Sequence, residues 1–173
     1  MDTIQPLGIP NALLGIDWDG QQFIGVGYNG TIVTSPDGTS WSPKVSGTNA
    51  NLMAIAAGPA PAGPVHIAVG QRGAVLTSPD GVMWTVQNAG VTDEVNDIAW
   101  GFSLAVAVLN TGGVLTSPDG VIWTPQSSGT TARLNAVTWT DGGRFVAVGD
   151  SGTILTSPDG FFWTPGFEFV PPA

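Results

Sequence analysis

One motif recurs four times along this chain at a nearly constant period. Thr-Ser-Pro-Asp-Gly, with Trp three residues after the Gly, occupies Thr34–Trp41, Thr77–Trp84, Thr116–Trp123 and Thr156–Trp163. Successive copies lie 43, 39 and 40 residues apart, the range in which stacked or radially arranged repeats are found. A chain built this way must bury the faces of each unit against its neighbours, because one unit of that size cannot cover both of its own faces.

The last copy gives the unit most clearly. Leu134–Trp139 alternates apolar with small or polar residues, and Asp141-Gly142-Gly143 marks a turn. Arg144–Gly149 is a nearly continuous apolar run, Gly152–Ser157 a second one, and Phe162-Trp163-Thr164 opens a fourth segment after Pro158-Asp159-Gly160. We name these segments a, b, c and d. Segment b recurs as Phe23–Gly27, Val65–Gly70 and Leu104–Leu109, and segment c as Thr31–Ser35, Ala74–Ser78 and Gly113–Ser117. Segment a recurs around Ile16, Ile55 and Ile98. Four short antiparallel strands per unit, with no helical period, predict an all-β chain of propeller blades. Segments b and c, apolar on both faces, fit a sheet sandwiched between two others. From each motif Trp to the next segment a is 11 residues in all three links (Trp41 to Leu52, Trp84 to Val95, Trp123 to Leu134), so the blade-to-blade link has one length. The second unit alone carries Gly58–Pro64 between a and b, which predicts a stiff, exposed excursion.

The expected organisation is one domain over 1–173, with repeats at 13–48, 52–91, 95–130 and 134–169. Thr3–Gly8 matches Thr124–Gly129 in its distance to the following strand, so residues 1–10 read as a strand d that serves a preceding blade. Residues 166–173 read as a tail in which Phe167 and Phe169 could dock on a partner. Two closures satisfy this pattern: a four-bladed ring on one chain, or half of a larger ring built by two chains, and the second is the preferred expectation.

Charge narrows the function. The net charge is −9, and the only cations are Lys44, Arg72, Arg133 and Arg144, too few to neutralise a phosphate backbone or an anionic lipid surface. Neither a nucleic-acid partner nor membrane insertion is expected. The sequence has no cysteine, no basic-then-apolar leader and no long apolar run, so no disulfide, signal peptide or membrane span is expected.

The four Ser-Pro-Asp-Gly-x-x-Trp segments resemble the Asp-box of bacterial-neuraminidase-type repeats. With Val-Ala-Val-Gly closing segment b and Gly-Thr-Ile-Leu-Thr-Ser in segment c, the chain is similar to photosystem II assembly and stability factor-like propellers from Leu13 to Trp163. The Asp and Gly are adjacent here (Asp37-Gly38, Asp80-Gly81, Asp119-Gly120, Asp159-Gly160), whereas the usual Asp-box separates them. The resemblance implies a propeller and leaves the activity open, because such folds host unrelated functions. A sialidase would need an arginine triad and a Tyr–Glu pair. The three arginines fall at non-equivalent places in the repeat, beside one tyrosine and two glutamates, so no catalysis is expected.

The turn aspartates are expected to accept bonds from their own turns rather than hold a metal, with Gly38, Gly81, Gly120 and Gly160 supplying positive φ. Trp41, Trp84, Trp123 and Trp163 are expected to pack over those turns, and Trp18, Trp100 and Trp139 in the core or between blades. His66, the only histidine, lies in an apolar strand and reads as structural. The b–c tips differ from unit to unit: Tyr28-Asn29, Gln71-Arg72, Asn110-Thr111 and Asp150-Ser151. Their divergence within a regular repeat makes them the candidate contact residues. The expected function is a non-catalytic structural or protein-interaction module of an exposed assembly such as a virion or surface appendage, with no metal or cofactor and with a protein as partner. The alternative is a glycan-binding lectin with repeated shallow sites.

Overall fold

The structure, a computed structural model, describes residues 8–166. It contains four separate four-stranded antiparallel sheets, each formed by strands consecutive in sequence. Blade 1 holds β1 (Leu13–Trp18), β2 (Phe23–Gly27), β3 (Ile32–Ser35) and β4 (Ser42–Lys44). Blade 2 holds β5 (Leu52–Ala60), β6 (Gly63–Gly70), β7 (Ala74–Ser78) and β8 (Thr85–Asn88). Blade 3 holds β9 (Val95–Gly101), β10 (Leu104–Leu109), β11 (Val114–Ser117) and β12 (Thr124–Gln126), and blade 4 β13 (Leu134–Thr140), β14 (Arg144–Gly149), β15 (Ile154–Ser157) and β16 (Thr164–Pro165). The expected all-β propeller blades are formed. The fourth strand of the last blade starts one residue after Trp163 rather than before it, because Phe161 and Phe162 belong to the turn.

The first strand of each blade carries a bulge, and the sequence shows why. Its two large apolar residues are three apart (Leu13 and Ile16, Leu52 and Ile55, Val95 and Ile98, Leu134 and Val137), which plain alternation would send to opposite faces. A register shift lies between them in each blade, at Leu13/Gly15, Leu52/Ala54, opposite Val108/Leu109, and Leu134/Ala136. The extra residue returns both side chains to one face.

That face meets the preceding blade. Ile24, Val26 and Ile32 of blade 1 pack on Leu52, Ile55, Ala68 and Leu76 of blade 2. Ile67, Val69 and Val75 of blade 2 pack on Val95, Ile98, Ala107 and Leu115 of blade 3. Val106, Val108 and Val114 of blade 3 pack on Leu134, Val137, Phe145 and Leu155 of blade 4. Each blade thus has a leading face toward the next blade and a trailing face toward the one before. Each fully buried Val, Leu, Ile or Phe contributes roughly 1.5–3 kcal/mol, so the three junctions, not the single sheets, hold the domain together. Polar ties cross the same junctions: Asp17 Oδ2 accepts the Ala57 N–H at 2.8 Å, and Asp97 Oδ2 accepts that of Val137 at 2.9 Å. Burial pushes the Asp97 carboxyl up, against the Val137 and Ile98 N–H groups that bond it.

The first strands pack in succession, β1 on β5, β5 on β9 and β9 on β13, while blades 1 and 4 do not form a fourth junction among the described residues. The blades therefore form an open arc, and the closed four-bladed ring on one chain is not what the described residues build.

One local expectation is corrected. Gly58–Pro64 is not an excursion from the sheet but a longer hairpin, with Pro59 opposite Pro64 and Ala60 opposite Gly63. Proline is tolerated there because β5 is an edge strand and Pro64 lies beyond the end of β7, whose pairing starts at His66. Of the strand expected at residues 1–10, residues 1–7 lie outside the described residues and residues 8–10 are not in a strand; the tail residues Phe167 and Phe169 also lie outside the described residues.

Candidate functional site

The four motif turns share one construction. Ser35 Oγ accepts the Gly38 N–H at 2.9 Å and donates to Asp37 Oδ1 at 3.1 Å. Asp37 Oδ1 accepts the N–H groups of Thr39 and Ser40 at 2.8 and 2.7 Å, and Trp41 Nε1 donates to Gly38 O at 3.2 Å. Asp80 takes the N–H groups of Val82 and Met83, Asp119 those of Val121 and Ile122, and Asp159 those of Phe161 and Phe162. Trp84, Trp123 and Trp163 repeat the indole bond to Gly81, Gly120 and Gly160, and pack against the three junctions. Glycine is required at Gly38, where φ is +75°, and at its three counterparts.

Two backbone N–H groups aimed at each carboxylate hold Asp37, Asp80 and Asp159 below the usual carboxylate range. At Asp119 partial burial pushes upward, but the Ile122 and Val121 N–H groups outweigh it. The sign follows from linkage: folded values below the ordinary 3.8 give stability that is complete above that pH and lost as pH falls through the folded values. The melting temperature should therefore fall steadily from pH 4 to pH 2. Asp119→Asn keeps an acceptor oxygen but cannot titrate, so its melting temperature should fall less steeply over that range. An unchanged slope would mean that the turn carboxylate does not drive acid unfolding.

The b–c tips lie at the end of the arc opposite the motif turns. Tyr28–Gly30, Gln71–Gly73 and Asp150–Gly152 form tight turns whose middle residues Asn29, Arg72 and Ser151 have φ of +53°, +59° and +57°. Much of their polar capacity is used inside the chain. The Asn29 amide donates to Asn11 Oδ1 and its N–H to Asn51 Oδ1, both at 3.0 Å, while Asn51 donates to Gln71 Oε1 at 2.9 Å. Asp150 Oδ1 accepts the Asn135 amide at 2.9 Å. Asn110 turns inward, its Oδ1 buried, beside an exposed Thr111. Tyr28, Arg72 and Ser151 remain exposed.

The opposite end carries the a–b and c–d turns, and there the structure opens a groove of about 520 Å³ between blades 1 and 2. Asp19, Gln21 and Gln22 of the β1–β2 turn form one wall, and Pro59, Pro64 and Asp80 of blade 2 the other. At its floor His66 is buried, with Nε2 2.9 Å from Asp19 Oδ2 and Nδ1 3.1 Å from Ser78 O. Both ring nitrogens lie within bonding distance of oxygens, and the contact between His66 and Asp19 ties blade 1 to blade 2. Asp19 Oδ1 accepts the Gln21 and Gln22 N–H groups at 2.7 and 2.8 Å. Burial pushes the Asp19 carboxyl up, but these two bonds and the His66 contact hold it below its ordinary value. The Gln22 amide donates to Asp80 O at 2.8 Å, a second tie between the two blades.

Sequence reasoning passed over this site. Its signal was a departure from the repeat: Ala57 and His66 pair where the other blades pair Trp18 with Phe23, Trp100 with Ala105 and Trp139 with Phe145. The tryptophans of those blades do not form an open ring. Trp100 and Trp139 pack into their junctions, and Trp18 is half exposed against Phe23, the ring centroids 4.5 Å apart.

No family model matches the sequence, and no curated protein matches it. Solved structures do. The structure of YCF48 bound to a D1 peptide is 20% identical over 92% of this chain and 55% of that one, with a TM-score of 0.66. YCF48 from Cyanidioschyzon merolae is 21% identical over 96% of this chain and 59% of that one, with a TM-score of 0.69. The computationally designed Ika4 protein is 13% identical over 90% of this chain and 96% of that one, with a TM-score of 0.71. The chain thus spans less than three-fifths of the YCF48 chains and nearly the whole of Ika4. At these identities the likeness concerns architecture alone, and with the four sheets and their junctions it makes the fold a β-propeller.

Proposed function

We propose that this protein is a non-catalytic protein-interaction module, and that the groove between blades 1 and 2 receives an extended peptide segment bearing a basic side chain. The observation that carries this is the groove itself: a cleft between two blades lined by Asp19 and Asp80, in a chain of net charge −9. Its Gln21 amide suits peptide carbonyls and N–H groups, and its Pro59–Pro64 wall is stiff, so little order is lost on binding. YCF48 bound to a D1 peptide offers a precedent for peptide capture by a fold of this kind. The small share of charged residues, 10%, and the absence of cysteine suit a component of an exposed assembly such as a virion or surface appendage. The motif turns are read as a shortened Asp-box. The packing of Trp100 and Trp139 into junctions removes the array of free indoles that a lectin with one site per blade would use.

Panning short random peptides against the full chain should return sequences with Arg or Lys. Gln21→Arg, an exposed change that places a cation in the groove, should weaken their binding about tenfold or more. Acidic consensus sequences, or affinities indifferent to Gln21→Arg, would rule this groove out.

A further inference from the structure

The two ends of the arc are shaped for each other. On the trailing face of blade 1, Ile16 is 63% exposed, whereas the residues in the same place in the other blades, Ile55, Ile98 and Val137, are 5–7% exposed beneath the preceding blade. Leu13 is 41% exposed, where Leu52, Val95 and Leu134 are fully buried. On the leading face of blade 4, Val148 and Ile154 are 41% and 37% exposed. Their counterparts Val26, Val69 and Val108, and Ile32, Val75 and Val114, are all within 1% of complete burial. Each open face repeats the residues of a face that is closed elsewhere in the same chain.

The links carry the same signature. Gly47, Gly90 and Gly129 lie five residues before β5, β9 and β13, with φ of +77°, +74° and +79°. Gly8 lies five residues before β1 with φ of +66°, although no blade precedes it among the described residues. The internal links pass along the tip of the preceding blade, where the Gly30 N–H donates to Ala50 O at 2.8 Å and that of Gly73 to Asp93 O at 2.9 Å. In those tips a side chain at Gly30 or Gly73 would strike the carbonyl of Thr48 or Val91. The equivalent tip residue in blade 4, Gly152, has the same backbone (φ +71°) and open space beside it. By position, the carbonyl absent there is that of Ile9.

We propose that the neighbour of blade 1 is blade 4 of a second copy of this chain, so that two chains close one eight-bladed ring through two identical junctions. In each junction Leu13 and Ile16 cover Val148 and Ile154, and the link at residues 8–12 runs beside the tip at Asp150–Gly152. The Trp18–Phe23 pair takes the place that Trp139–Phe145, 4.6 Å apart, holds on blade 3. Thr140 stands where Gly58 and Gly101 receive indoles, so Trp18 seats beside that position rather than on it. Propeller rings hold four to eight blades as a rule, so four-bladed arcs close with two copies and not with three. The contact is head-to-tail, and two of them related by a twofold axis leave no open face.

The mass of the full chain in solution, by light scattering or native mass spectrometry, tests this independently of the peptide groove. The expected result is twice the 17.7 kDa chain mass. Ile16→Asp and Val148→Asp, each on an exposed face of the single chain, should give folded particles of one chain mass with unchanged far-ultraviolet dichroism. Mixing the two variants should restore a dimer through the one junction in which both faces are native. A wild-type chain that stays monomeric at its highest soluble concentration, a mass of three or more chains, or variants that remain dimeric would overturn the proposal.

Discussion

Gly73→Ala should lower the melting temperature by about 10 °C, whereas Gly152→Ala, the same change at the equivalent tip of blade 4, should cost only about 3 °C. Both glycines have positive φ, +66° and +71°, so both substitutions carry the left-handed penalty of about 1 kcal/mol. They differ in their surroundings. A Cβ at Gly73 runs into the carbonyl of Val91 in the link to blade 3, and the Gly73 N–H is bonded to Asp93 O in that same link. Accommodating the methyl moves the link and with it the start of β9, whose Val95 and Ile98 fill a junction. At Gly152 nothing lies within 4 Å. Thermal unfolding of both variants in the Ile16→Asp background isolates the effect on the single chain. Equal losses at the two positions would mean that backbone strain alone matters, and that the tip-to-link contact does not hold the blades in place.

Phe145→Ala should destabilise the chain by about 4 kcal/mol, a loss visible in urea titration as a midpoint shift with little change in slope. Phe145 heads the fully buried side chains by volume. It lies on the trailing face of blade 4, edge-on to Trp139 with centroids 4.6 Å apart, and against Val106 and Val108 of blade 3. Removing the ring opens a cavity between two sheets that cannot collapse, because each is held by its own ladder and by the Asp97–Val137 bond across the junction. A cost under about 1 kcal/mol would show that the junction relaxes freely, contrary to the packing argument.

The blade pattern was legible because radial repetition forces chemistry to recur. Each unit needs the same buried serine, the same turn carboxylate and the same b and c strands, so four imperfect copies reinforce one reading. The equal link lengths foretold equal junctions. What stayed hidden depended on single departures from the repeat. The Asp19–His66 pair joins residues 47 apart on different blades, and no periodicity relates them. The Pro59–Pro64 segment carried a strong loop composition, yet it lies at an edge where proline displaces no ladder bond, so sheet pairing prevailed over composition. The b–c tips were visible as divergent turns, but their side chains could not be known to bond one another, because that depends on how close successive tips come. The bulge in each first strand was present in the three-residue spacing of its apolar pair, a signal that simple alternation overlooks.

Each motif turn is made by N–H groups of the two residues after its glycine, and not by their side chains, which all point outward. Those pairs are Thr39-Ser40, Val82-Met83, Val121-Ile122 and Phe161-Phe162, as unlike one another as residues in a repeat become. Copies of an ancestral unit could therefore diverge at these points while selection on folding stayed indifferent. The chain thus carries a row of exposed positions at which single substitutions change surface chemistry without touching the bonds that form the turns.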